Sequence, residues 1–189
     1  MIASLNGAAI IWRPRMTNDT LRPILKSQLH ASLAMLRDAI DKCPDDVWLD
    51  DSFTNRYWQI AYHVLFYAHL YLHADEKSVR PWAGHQSRVQ YPSGLTNPRL
   101  EVDKTLPKFA NPYSKAQVLA FWDVCDRMVD GAIDTFDLDA PECGFWWYKM
   151  GKLEHQFINI RHIQHHAAQL ADRLRVAKDV GVPWVGMRR

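Results

Sequence analysis

Nine histidines punctuate a chain of 189 residues, and most of them fall in two segments. The later segment reads Arg161-His162-Ile163-Gln164-His165-His166, with His162 and His166 four positions apart. On a helix at about 100° per residue these two side chains share a face one turn apart, a spacing that suits two ligands on one metal ion. A helical wheel with Ile160 as reference puts His162 and His166 at the border of the apolar side. His155, Gln169 and Arg173 continue that flank, and His165 points to solvent beside Arg161 and Asp172. A bare H-x-x-x-H on a helix also reads as a solvated or partly packed stripe, and Ile163 stands where a zincin carries glutamate.

The earlier segment holds His63, His69 and His73 within an almost unbroken apolar run. His63 shares a stripe with Arg56, Gln59 and Tyr67 among large apolar neighbours, so it is expected to be buried. Asn55, Tyr62, His69, His73 and Glu76 group on the wheel as the expected solvent-facing strip. A buried imidazole needs a partner, because an unpaired ring nitrogen costs about 1–3 kcal/mol. A backbone carbonyl would serve. An inward His63 opposite the His162/His166 pair offers a different answer: three neutral nitrogens that suit zinc, nickel or ferrous iron, with water completing an open coordination sphere. His69 and His73 form a second i, i+4 pair, but their face has no third ligand and exposure is expected.

These residues need elements to carry them. Over 19–40, Leu21, Leu25, Leu29, Leu33, Leu36 and Ile40 recur at steps of three and four until Pro44 stops the pattern, which predicts the first helix. The apolar run over 54–74 is too long for a strand and predicts a buried second helix. Ser114 with Gln117 three residues later is a capping-box pair that opens the third, to about Phe136. The fourth runs over 152–179 with Leu153, Phe157, Ile160, Ala167, Ala171 and Leu174 as its core stripe, ended by Gly181 and Pro183. The reading is an all-α fold, a four-helix bundle in one domain over 1–189, with an N-terminal extension (1–18) and a C-terminal tail (181–189). Between the second and third helices, 77–111 is too rich in proline and turn pairs for continuous helix. It is expected to be a long crossover that lets those helices run parallel and forms a wall or lid of the metal pocket, anchored by Trp82, His85 and Tyr91.

Composition excludes several function classes. Lys plus Arg total 23 against 21 Asp plus Glu, and the charges are mixed along the chain. No nucleic-acid partner is expected. No run approaches the roughly 20 apolar residues of a membrane span, and no signal peptide is evident, so the protein is expected to be cytoplasmic with no membrane partner. Three cysteines far apart indicate neither a disulfide framework nor a cysteine zinc site. Cys125 falls on a core stripe, whereas Cys43 and Cys143 stand at element ends where exposure is expected; none has a visible activator. Phe145-Trp146-Trp147-Tyr148 either lines a pocket or closes the end of the bundle. Glu154, Asp123 and Asp126 are candidate outer acceptors that spacing alone does not place near the ligands.

The order of His63, a long crossover, and His162-Ile163-Gln164-His165-His166-Ala167-Ala168-Gln169-Leu170 resembles the DinB/YfiT-like superfamily of metal-binding four-helix bundles, over about 19–180. The family's last-helix motif is commonly H-x-x-x-H-x-Gly-Gln-Leu, and Ala168 stands here where glycine is usual. The family's helix-two ligand corresponds to His63 in Ile60-Ala61-Tyr62-His63-Val64-Leu65. The resemblance thus implies His63, His162 and His166 as a triad on one divalent metal, zinc or nickel before iron. It also implies an up-down-down-up helix order and a homodimer. A metal with an open face makes hydrolysis or thiol transfer on a small molecule feasible, and between a metal-dependent hydrolase and a thiol-dependent transferase the resemblance favours the transferase, with a low-molecular-weight thiol as a partner. The alternative is a non-catalytic, metal-stabilised, stress-related dimer. No catalytic residue beyond the ligands is assigned.

Overall fold

Leu25, Leu29, Leu33, Leu36 and Ile40 all lose their contact with water in the computed structural model, and the helix that carries them, α1 (Asn18–Lys42), is the longest element of the N-terminal half. The structure describes residues 17–87, 89–91 and 111–188. Among these, all regular structure is helical: α1 is followed by α2 (Asp45–Trp48), α3 (Tyr57–Tyr71), a 3-10 turn (Glu76–Ser78), α4 (Lys115–Thr135) and α5 (Lys152–Lys178). Ser114 caps α4 as its spacing predicts, its side chain accepting from the Gln117 amide while Gln117 Oε1 accepts from the Ser114 amide. None of the described helices is long and apolar enough to cross a membrane.

α1 and α3 each pack against both α4 and α5. The contacts give the register. Along α1 and α4 they run in opposite order, with Arg22 donating to the Ile133 and Phe136 carbonyls, Lys26 paired with Asp134, His30 with Asp126, and Arg37 with Asp123. α3 and α5 are likewise opposed: the Asn55 carbonyl takes Arg173, His63 meets His162, and the Tyr71 carbonyl takes Gln156. Three buried aromatics satisfy their polar ends on the backbone, Trp122 Nε1 on Leu33, Tyr57 hydroxyl on Ala39 and Trp48 Nε1 on Tyr113.

Four expectations are corrected. The second helix is shorter than 54–74, because Gln59 Oε1 closes its start on the Arg56 amide and the chain leaves the helix at Leu72. Its supposed solvent strip is partly core: Tyr62 stacks on Tyr113 at 4.5 Å and His69 lies 5.4 Å from Phe121, since α4 and the segment after α3 cover that face. Cys43 and Cys143 are buried like Cys125, all three as free thiols. Burial pushes the Cys43 thiol up to about 12, against the pull of Lys115. Lastly, Phe157 is exposed, and the first half of α5 buries His155, Gln156 and Asn159 in its place.

The C-terminal tail returns along α1, where the Gly181 and Gly186 carbonyls accept from Lys42 and Gln28. Of the N-terminal extension, residues 1–16 lie outside the described residues, as do 88 and 92–110 of the crossover. Its described part is pinned: Trp82 stacks on Phe121 at 4.5 Å, Tyr62 hydroxyl donates to His85 Nδ1, and Tyr113 hydroxyl links the Gly84 carbonyl to the Gln86 amide.

Candidate metal centre

α3 contributes one histidine and α5 two, and their opposed packing brings His63, His162 and His166 together. Their ring centroids are 5.1, 4.9 and 4.7 Å apart, and Tyr67 sets its ring edge to face against both His63 and His162. Among the described residues this is the one group of three His, Cys, Asp or Glu side chains whose ligand atoms all lie within 4.8 Å of one another. His63 Nε2 and His162 Nε2 stand 3.2 Å apart. Two zinc–nitrogen bonds of 2.0–2.1 Å at a tetrahedral angle hold their nitrogens about 3.3 Å apart, so this pair is already at ligand spacing.

The far nitrogens decide what the near ones can do. His63 Nδ1 donates to the Gln90 carbonyl at 2.7 Å, which leaves Nε2 as a bare lone pair. His166 Nδ1 donates to Gln169 Oε1 at 2.9 Å, with the same consequence for its Nε2. Metal-bound histidines characteristically donate their second N–H to an acceptor of this kind. Burial holds the His63 imidazole down to about 4, opposed by the Gln90 bond and reinforced by His166. Burial, then His63, His166 and His165, lowers His162 to about 2. His166 is lowered chiefly by burial, against its Gln169 bond. All three rings are neutral at pH 7, the form in which imidazole ligates.

No protein-family model, curated protein or solved structure matches the chain. A group of three histidines, His63 buried and His162 and His166 half-buried, is present that could hold a metal ion.

The other histidines lie outside this ligand group, although His165 sets its ring against His166 at 4.8 Å. His165 is exposed, as the wheel predicts. His73 has both nitrogens engaged, Nδ1 donating to the His69 carbonyl and Nε2 accepting from the Arg80 amide, so the second i, i+4 pair is a helix-end clasp. Asp123 and Asp126 are drawn to Arg37 and His30 on α1, and Glu154 is exposed. Sequence reasoning missed Gln90 as an acceptor, because a backbone carbonyl carries no side-chain signature and arrives 27 residues after its partner. Gln169 was within reach, three residues after His166 on the flank already noted. The Phe145–Tyr148 stretch divides: Phe145 is buried against Tyr71 and His155, and Trp146 is exposed.

Proposed function

We propose that His63, His162 and His166 bind one divalent transition metal, zinc or nickel before iron, in a DinB/YfiT-like four-helix bundle of up-down-down-up order. On this reading the protein is a metal-dependent enzyme acting on a small molecule, as a thiol-dependent transferase or a hydrolase. The observation that carries the metal is the pair of Nε2 atoms at 3.2 Å with the His63 proton committed to Gln90. Either His162 donates to that lone pair and strands its own buried Nδ1, or a cation sits between the rings and takes both lone pairs. The helix order is supported by the opposed registers of α1/α4 and α3/α5 and by the length of chain between α3 and α4.

Three neutral nitrogens leave coordination positions free, and a divalent metal there supplies Lewis acidity that favours deprotonation of water or a thiol and polarises a carbonyl. The chain's own part is to hold two of the rings, His63 and His166, in one tautomer and orientation through Gln90 and Gln169, and to pack Tyr67 against His63 and His162. A second reading, a non-catalytic metal that ties α3 to α5 in a dimer, is favoured by the burial of His63, which is 4% exposed.

Metal analysis of untagged protein tests the assignment. The expected result is close to one equivalent, lost in His63→Ala and in the double variant His162→Ala, His166→Ala, and kept in His69→Ala. Metal that survives the double variant overturns it. Cobalt-substituted protein then separates the two readings: a low-molecular-weight thiol that shifts the visible spectrum supports transfer, and an unchanged spectrum supports the structural role.

A further inference from the structure

Six buried side-chain atoms on the first half of α5 lack any hydrogen-bond partner: Nδ1 and Nε2 of His155, Oε1 of Gln156, Oδ1 and Nδ2 of Asn159, and Nδ1 of His162. Folded proteins leave few such atoms, and each costs about 1–3 kcal/mol. Asn159 is fully buried, with both ends of its carboxamide unpaired. It stands three residues before His162 and four after His155, so all three lie along one side of the helix, with about 5–6 Å between Cβ atoms one turn apart.

Side chains on a helix lean toward its N-terminus, over the preceding turn. His162 leans over the turn that carries Asn159. Its Nε2 is turned to His63, and Nδ1, bonded to Cγ, is the ring nitrogen nearer its own helix. Gln90 serves the outer nitrogen of His63 and Gln169 that of His166. His162 is the one member of the triad whose outer nitrogen is unserved, and the nearest unserved carboxamide on its own helix is Asn159.

We propose that Asn159 is the positioning residue of His162, its carboxamide accepting from the Nδ1–H of that ring when Nε2 is given to a metal. This rests on the metal reading above. Without metal, the His162 Nε2–H donates to the His63 lone pair, and its bare Nδ1 and the Asn159 carboxamide both stand unpaired. With Nε2 given to the metal, the Nε2–H bond is lost and an Nδ1–H bond forms through solvent exchange, so the ring keeps one proton. Asn159 Oδ1 then accepts from Nδ1, and Nδ2 is left to donate to His155, whose two ring nitrogens are also unpaired. A carboxamide suits this position because it carries a donor and an acceptor on one rotatable group.

Cobalt titration of the full chain tests the idea beside two variants. Asn159→Leu keeps the branched shape and the number of heavy atoms and removes both functions; its affinity is expected to fall about 10–100-fold, the usual effect of losing an outer partner. Asn159→Asp keeps the acceptor and is expected to bind at least as tightly as wild type. A leucine variant equal to wild type overturns this inference alone. Wild-type protein that binds neither cobalt nor zinc overturns the metal reading and this one with it. Nitrogen-15 histidine spectra of zinc-loaded wild type need no variant to fold: a slowly exchanging His162 Nδ1–H with a cross-peak to the Asn159 side chain is expected, and its absence overturns the proposal.

Discussion

Histidines buried as neutral rings make this protein's stability depend on acidity. Burial holds His155 and His69 down to about 4, from an ordinary value near 6.5. Between those values the unfolded chain binds protons that the folded chain refuses, so stability is complete above pH 6.5 and is lost as pH falls toward 4. Each such ring contributes a slope of about 1.4 kcal/mol per pH unit within that window. Urea unfolding of the metal-free protein is expected to show a midpoint that drops steeply from pH 6.5 to 4, with a shallower fall in His155→Gln. The same low proton affinity of His63 and His162 predicts metal binding that is nearly constant between pH 8 and 6, where ordinary imidazoles already lose ligand to protons; competition titrations at several pH values measure it. The triad itself was legible because i, i+4 spacing survives any error in helix boundaries and because large apolar neighbours marked His63 as inward. His155, Gln156 and Asn159 were not, since polar residue types read as surface until a neighbouring helix is known to cover them.

At the scale of elements, the face of α3 that carries Tyr62 and His69 is closed by a segment with no regular structure of its own. Trp82 is its main anchor, stacked on Phe121 with 12° between the ring planes and tilted against Tyr62 and Tyr113. Trp82→Ala is expected to cost about 2–4 kcal/mol by chemical denaturation, the range for removing a large, mostly buried aromatic. It should also speed metal release, because the same segment brings Gln90 to His63; stopped-flow chelation gives that rate. The solvent strip failed as an expectation for a physical reason: a wheel ranks faces by side-chain type, whereas burial depends on what the chain does twenty residues later. The capping box at Ser114 succeeded because its partners are three residues apart and need nothing else. α2 was invisible, being a single turn whose Trp48 is fixed by the distant Tyr113 carbonyl.

For the whole molecule, the helix pairs are held in unequal ways. Between α1 and α4, Arg22 places its guanidinium on carbonyls at the end of α4, a half-buried charge-assisted contact, whereas Arg37 with Asp123 is an exposed pair. Arg22→Ala is expected to cost about 1.5–3 kcal/mol and Arg37→Ala less than about 1, read as the difference in thermal midpoints. Between α3 and α5 the centre of the contact is polar, so this pair gains most from an added cation. Free metal at 100 times its dissociation constant adds about 2.7 kcal/mol, and a chelator is expected to lower the melting temperature correspondingly.

The two outer supports of the triad differ in how they withstand genetic change. Gln169 holds His166 with a side chain, so a single substitution such as Gln169→Leu removes the acceptor. Gln90 holds His63 with its main chain, which every amino acid possesses. Position 90 can therefore drift through many residue types while His63 keeps its tautomer, provided the path of the chain is conserved. Among diverged copies of this protein, the support of His63 should persist where no column of identical residues marks it.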